Sequence, residues 1–279
     1  MIEDISGCID YDEVGAGPAV VLVPGSCSTG AAWRPVMTQW KNSYRIITTS
    51  LLGYGGTQER RSVADTNMAH EAEALEAVIH RAGGPAHLVG HSFGGLCALA
   101  VALRGRVPLL SLTIAEAPAL EILRHMGEDR HHLAFRKMSE AYSSAYRAGN
   151  RTAIEQMIDF YGGLGTFASW PQRVRDCASQ ATPVNLLDWQ SAYGFDLTPG
   201  LLATIKIPTL VFWGEASHPS VGRANQLLGQ CIMGAAAATI AGASHFMIAT
   251  HAREVAVMIA QHVVHAESNA AAAVPALAI

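Results

Sequence analysis

Short blocks of uninterrupted apolar and β-branched residues recur along the chain, each closed by glycine, proline or a polar cluster. They lie at Ala19–Val23, Tyr44–Ser50, His87–Val89, Leu109–Ile114, Thr209–Trp213 and Ala237–Ile240. Blocks of this length without polar alternation predict strands that are buried on both faces. Between them the apolar positions change to helical spacing over Met68–Ala82, Gly94–Arg104, Val221–Gly229 and Arg253–His265. Strands alternating with helices predict parallel βαβ units, hence an α/β fold with a mostly parallel, doubly wound sheet.

One stretch breaks the alternation. Residues 118–202 contain no strand pattern, but helical patterns run through Leu133–Ala148 and Thr152–Tyr161, with turns near Gly162–Gly165 and Trp170-Pro171. A helical insertion between two strands of a parallel sheet is expected to cover the carboxyl ends of the strands, where such sheets bind ligands. The organisation expected is a core of residues 1–117 and 203–265, a helical cap insertion at 118–202, and an alanine-rich tail at 266–279, interrupted by Pro275 and read as disordered.

The block that begins at His87 runs into Gly90-His91-Ser92-Phe93-Gly94-Gly95 and then a helix rich in small residues. Gly-x-Ser-x-Gly between a strand and a helix is the nucleophile-elbow pattern. Small flanking residues let strand and helix approach while the serine hydroxyl stands clear of the backbone. An ordinary glycine turn is the alternative, and the flanking strand and helix argue against it.

Four motifs in order, Leu22-Val23-Pro24-Gly25, Gly53-Tyr54-Gly55-Gly56-Thr57, the elbow, and Gly242-Ala243-Ser244-His245-Phe246, resemble the α/β-hydrolase superfamily, of the serine-nucleophile, helical-cap type. The resemblance runs from Ile9 to about His265. It implies an α/β-hydrolase fold with an inserted helical cap and a triad in chain order serine, acid, histidine. Ser92 is the expected nucleophile, and His245, in the loop after the last strand, the expected base. His91 belongs to the elbow and is expected to pack or hydrogen-bond there. His251, His262 and His265, on or near the last helix, are expected to face solvent, as are His131 and His132 in the insertion.

The acid departs from the family's commoner pattern. Where an aspartate commonly follows the strand after the cap, this chain reads Gly214-Glu215-Ala216-Ser217, and a serine cannot stabilise an imidazolium electrostatically. Glu116, just past Leu109–Ile114, is the favoured acid, with Glu215 as the alternative. The expected oxyanion hole combines the backbone N–H of Phe93 with that of Ser26 or Cys27. Cys27 itself, with no base of its own, is read as a packing residue. Trp33, Tyr54, Trp170, Trp189 and Trp213 are candidates for pocket lining, each with a core role as its alternative.

Composition narrows the partners. Of 279 residues half are apolar and 15% charged, with a net charge of −4 and no basic cluster, which argues against nucleic acid and against an anionic membrane. No apolar run is long enough to span a bilayer. The scattered cysteines 8, 27, 97, 177 and 231 contain no Cys-x-x-Cys, and the N-terminus has no signal-like segment, so reduced thiols in the cytoplasm are expected. No dinucleotide or metal motif appears, so no cofactor and no metal are expected. The expected partner is a small-molecule substrate, in a chain compatible with a homo-oligomer.

The expected activity is cofactor-independent hydrolysis of a small, largely apolar carboxylic ester or lactone through an acyl-enzyme. Relatives of this fold that displace halide or open epoxides carry aspartate at the elbow, whereas Ser92 implies attack on an acyl carbon. The alternatives are carbon–carbon bond hydrolysis, acyl transfer or cofactor-free oxygenation on the same fold, or a non-catalytic ligand-binding protein.

Overall fold

A computed structural model describes residues 1–4, 7–41 and 43–273. Its strands are β1 (Ile2–Asp4), β2 (Gly7–Ile9), β3 (Asp12–Val14), β4 (Ala19–Val23), β5 (Arg45–Thr48), β6 (Ala86–His91), β7 (Leu109–Ala115), β8 (Thr209–Gly214) and β9 (Ala236–Ile240). Strands β1 and β2 pair as a separate antiparallel ribbon, and the rest form a sheet in the order β3-β5-β4-β6-β7-β8-β9. Only the β3–β5 pairing of that sheet is antiparallel.

The two-residue period of a strand sends neighbouring side chains to opposite faces, and each face here has its own core. Val21, Val23, Leu88, Ile114 and Val211 pack on one side with α2 (Ala69–Ala82), α3 (Phe93–Arg104) and α11 (Pro219–Cys231). Val20, Leu22, Val89, Leu210 and Phe212 pack on the other with α1 (Arg34–Met37), α12 (Met247–Thr250) and α13 (Ala252–Ala273). Burial on both faces is why these strands read as unbroken apolar runs.

Residues 118–202, all described, contain no strand. They form α4 (Leu120–His125), α5 (Asp129–Arg147), α6 (Glu155–Gly162), α7 (Thr166–Ser169), α8 (Gln172–Gln180), α9 (Thr182–Gly194) and α10 (Pro199–Leu202). Phe135, Tyr142, Ile154 and Trp189 of this segment join the core beside α3.

Two expectations change. Helix α13 continues through Ala273, so residues 266–273 of the expected disordered tail are helical, while 274–279 lie outside the described residues. Alanine is the strongest helix former, and the first proline comes only at 275. His262 is not a solvent-facing residue: it is buried, 8% exposed, on the side of α13 that packs against β7.

Candidate active site

Ser92, Glu116 and His245 follow β6, β7 and β9, and Gly25 follows β4, so all four lie at the carboxyl edge of the parallel strands. Ser92 has φ 55° and ψ −129°, a conformation an L-residue adopts only under constraint. Its N–H donates to the Ala115 carbonyl at 2.9 Å, and its own carbonyl accepts from the Gly95 N–H at 2.8 Å. The elbow needs its glycines: a Cβ at Gly90 would overlap the Gly94 carbonyl, and one at Gly94 the Pro24 carbonyl.

The hydroxyl of Ser92 donates to His245 Nε2 at 2.9 Å, and His245 Nδ1–H donates to Glu116 Oε1 at 3.0 Å. All three side chains are buried. The serine–histidine–glutamate set expected from the sequence is thus brought together, and Glu215 is not part of it. Glu215 is exposed and, among the described residues, accepts only a long bond, 3.4 Å, from the Gly242 N–H.

Glu116 also stands at positive φ, 52°. Its second oxygen, Oε2, accepts from the Gly214 N–H at 2.8 Å and the Ser217 hydroxyl at 2.7 Å. Ser217, at the position where the resemblance implies an aspartate, therefore supports the carboxylate that comes from the neighbouring strand. Asn225 on α11 braces the next residue, accepting from the Ala117 N–H and donating to the Ala117 carbonyl, both at 2.9 Å. The signal for Asn225 was an amide among the apolar positions Val221, Ala224, Leu227 and Leu228 of that helix.

The imidazole of His245 stacks on the Tyr161 ring at 4.1 Å and 27°. His91 Nε2–H donates to the His245 backbone carbonyl at 2.8 Å, the elbow role expected for it. Burial first, and then the nearby His245 ring, push the His91 pKa down to about 3, so it acts as a neutral donor.

Gly25, Ser26, Cys27 and Phe93 line the same cavity as Ser92 and His245. A Cβ on Gly25 would come within 2.8 Å of the Ser92 Cβ, so the loop passes directly over the nucleophile. Phe93 is the first residue of α3, and its N–H has no acceptor within the helix. The Ser26 hydroxyl donates to Asp188 Oδ2 at 2.6 Å, an oxygen that also accepts from Tyr54 OH at 2.6 Å. Asp188 Oδ1 accepts from Arg61 Nη1 at 2.8 Å. Burial pushes the Cys27 thiol pKa well up, so it is no thiolate nucleophile.

The cavity has a volume of about 290 Å³. Of the candidate lining aromatics, Trp170 and Trp189 face it, and Tyr161 and Phe246 join them. Trp33 is core, and Tyr54 is buried behind Asp188. Among the described residues no helix is long and apolar enough to cross a membrane.

The model of the alpha/beta hydrolase family matches residues 20–257. A 2-hydroxy-6-oxo-2,4-heptadienoate hydrolase of Pseudomonas putida is 38% identical over 99 residues, 33% of this chain and 34% of that protein. A pimeloyl-[acyl-carrier protein] methyl ester esterase of Aeromonas salmonicida is 32% identical over 111 residues, 39% of this chain and 42% of that one. The matches thus span about a third to two fifths of the curated relatives. A thermophilic esterase from Thermogutta terrifontis shares the fold with a TM-score of 0.71 at 21% identity, covering 92% of this chain and 93% of that one.

Proposed function

Because the chain belongs to the alpha/beta hydrolase family, we propose that this hydrolase cleaves a small, largely apolar carboxylic ester or lactone through a serine-bound acyl intermediate. The observation that carries the reading is the line of hydrogen bonds from Ser92 through His245 to Glu116, opening into a mostly apolar cavity. Ser92 Oγ attacks the acyl carbon while His245 takes its proton at Nε2. Glu116 keeps the other ring nitrogen protonated and balances the imidazolium charge. The N–H groups of Phe93 and of Ser26 or Cys27 receive the oxyanion. His245 then protonates the leaving alcohol, and water releases the acid by the same steps in reverse. Residues 118–202 act as the cap that closes the cavity from water.

A neutral substrate is favoured because no lysine or arginine is among the residues lining the cavity, whereas Asp188 is. A carboxylate-bearing substrate, such as the name of the Pseudomonas putida relative implies, would find no cation among the described residues that line the cavity. The five cysteines are unpaired, which favours a reducing compartment such as the cytoplasm. The partner is then a small molecule rather than nucleic acid or membrane.

A panel of neutral short- and medium-chain esters and lactones, assayed beside Ser92→Ala, tests the reading. At least one should be turned over with a kcat that falls about 10³-fold or more in the variant. Turnover that survives the substitution would sink the reading.

A further inference from the structure

The helical insertion reaches the loop that passes over the nucleophile. Gly25 to Ser28 make a turn there, and two side chains fasten it. The Ser28 hydroxyl donates to the Gly25 carbonyl at 3.0 Å. The Ser26 hydroxyl donates at 2.6 Å to Asp188, which α9 brings in from 162 residues further along the chain. Cys27, between the two serines, stands at φ 60°. A non-glycine residue keeps left-handed backbone only where its surroundings impose it.

A peptide unit is planar and trans, so its C=O and N–H point opposite ways. With the Gly25 carbonyl turned to Ser28, the N–H of the same unit, that of Ser26, points away from Ser28. No acceptor among the described residues takes it. Asp188 is itself fixed, for its Oδ2 also accepts from Tyr54 OH at 2.6 Å and its Oδ1 from Arg61 Nη1 at 2.8 Å. All three side chains are buried. Docking α9 does not need Ser26, since Arg61 and Tyr54 already tie Asp188 to the core. A hydroxyl that donates to a carboxylate is also held more firmly than one on a neutral acceptor.

We infer that the cap completes the oxyanion hole: Asp188 is a positioning residue that, through the Ser26 hydroxyl, aims the Ser26 N–H at the developing oxyanion. Ser26 rather than Cys27 then gives the second donor, because the two side-chain bonds flank the Gly25–Ser26 peptide unit. Donors fixed beforehand need no reorganisation as charge develops. A loop freed from Asp188 keeps the N–H but loses its aim, and a misplacement of about 1 Å can cost about 100-fold in rate.

The inference rests on the ester-hydrolase reading, and its test separates the two. Ser26→Ala cuts the link and leaves Asp188 to Tyr54 and Arg61. It should lower kcat about tenfold or more with KM within about twofold, because the oxyanion forms only after binding. Butylboronic acid, whose boron takes the Ser92 oxygen while the proton passes to His245, puts a tetrahedral anion in the same place. Its inhibition constant should rise by a like factor, and Ser26→Thr, which restores the hydroxyl, should recover most of both losses. Asp188→Ala should lower kcat similarly, and Ser26→Ala added to it should cost no more than about twofold further. Should that alanine protein misfold, Asp188→Leu with Arg61→Met replaces the ion pair by apolar side chains and takes its place. The inference is overturned by a Ser26→Ala kcat within about twofold of the parent, a loss confined to KM, no recovery with threonine, or losses at 26 and 188 that multiply. Failure of the hydrolase reading shows instead as absence of Ser92-dependent turnover by the parent enzyme.

Discussion

At the scale of single residues, the carboxylate at 116 is the member of the site with the most built around it. Three donors converge on it, from His245, Gly214 and Ser217, and it is fully buried at positive φ. Glu116→Gln keeps the shape and removes the charge that balances a protonated imidazole. It should lower kcat by about 10³-fold or more, while Glu215→Gln, on an exposed loop, should stay within about twofold of the parent. Ser217→Ala removes one donor of three and should fall between them, by roughly tenfold. Steady-state rates on the best ester of the panel decide the order, and a larger loss at 215 than at 116 would move the acid role. The nucleophile and base were legible because a glycine-flanked serine after a strand and a histidine after the last strand are local patterns. The acid was legible only as a preference for Glu116 over Glu215, because what settles its geometry is contact across β7 and β8. Ser217 is legible in the sequence as a departure from the commoner pattern, but its role as a donor appears only once those strands are side by side.

At the scale of elements, the strands buried on both faces were readable to within a residue or two, and the helices of 118–202 were read only in part. Helix α9 is not legible in the sequence because its buried positions include Thr182, Asn185, Asp188 and Ser191, so no clean apolar stripe marks it. β1, β2 and β3, three residues each, are too short to show a period. What α9 docks with is also invisible in one dimension. Arg61, wholly buried, holds Asp188 of α9 at 2.8 Å, Glu59 at 2.8 Å and Glu71 at 3.2 Å. Three ionised carboxylates around one guanidinium would leave excess buried negative charge. Burial pushes the Glu71 pKa up to about 8, so near neutral pH it holds its proton. Burial raises Asp188 as well, but Arg61, Ser26 and Tyr54 all favour its charged form, and against the effect of burial Arg61 holds Glu59 below the usual range. Arg61→Met strips the counter-charge from both and should destabilise the fold by about 3–5 kcal/mol in urea unfolding. A loss below about 1 kcal/mol would mean that α9 is held in place by packing alone.

At the scale of the whole molecule, the sheet divides two cores, and each of its faces is closed by helices. Imidazoles are buried in that architecture. His87 on β6 shares a hydrogen bond with Ser111 Oγ at 2.8 Å, and its Nε2 lies 4.0 Å from Glu267 of α13. Burial, and secondarily the charge of His262, push its pKa down to about 4. Burial lowers His262 as well, and His91 falls to about 3. An unfolded histidine titrates near 6.5, so below that pH the unfolded chain binds protons that the folded one refuses. The sign is then fixed: these groups cost nothing above about pH 7, and stability drains away as pH falls from 6.5 towards 4. For His87 the loss reaches roughly 2–3 kcal/mol at the acid end, from 1.36 kcal/mol per pKa unit. His87→Gln, which retains donor and acceptor but cannot charge, should flatten the fall in unfolding free energy by about that amount between pH 6.5 and 4. His87 is remote from Ser92 in the hydrogen-bond pattern of the site, so turnover at pH 7 should hardly change. Urea titrations of both proteins across that range measure the difference, and parallel curves would show that His87 accepts its proton in the folded protein as readily as in the unfolded chain.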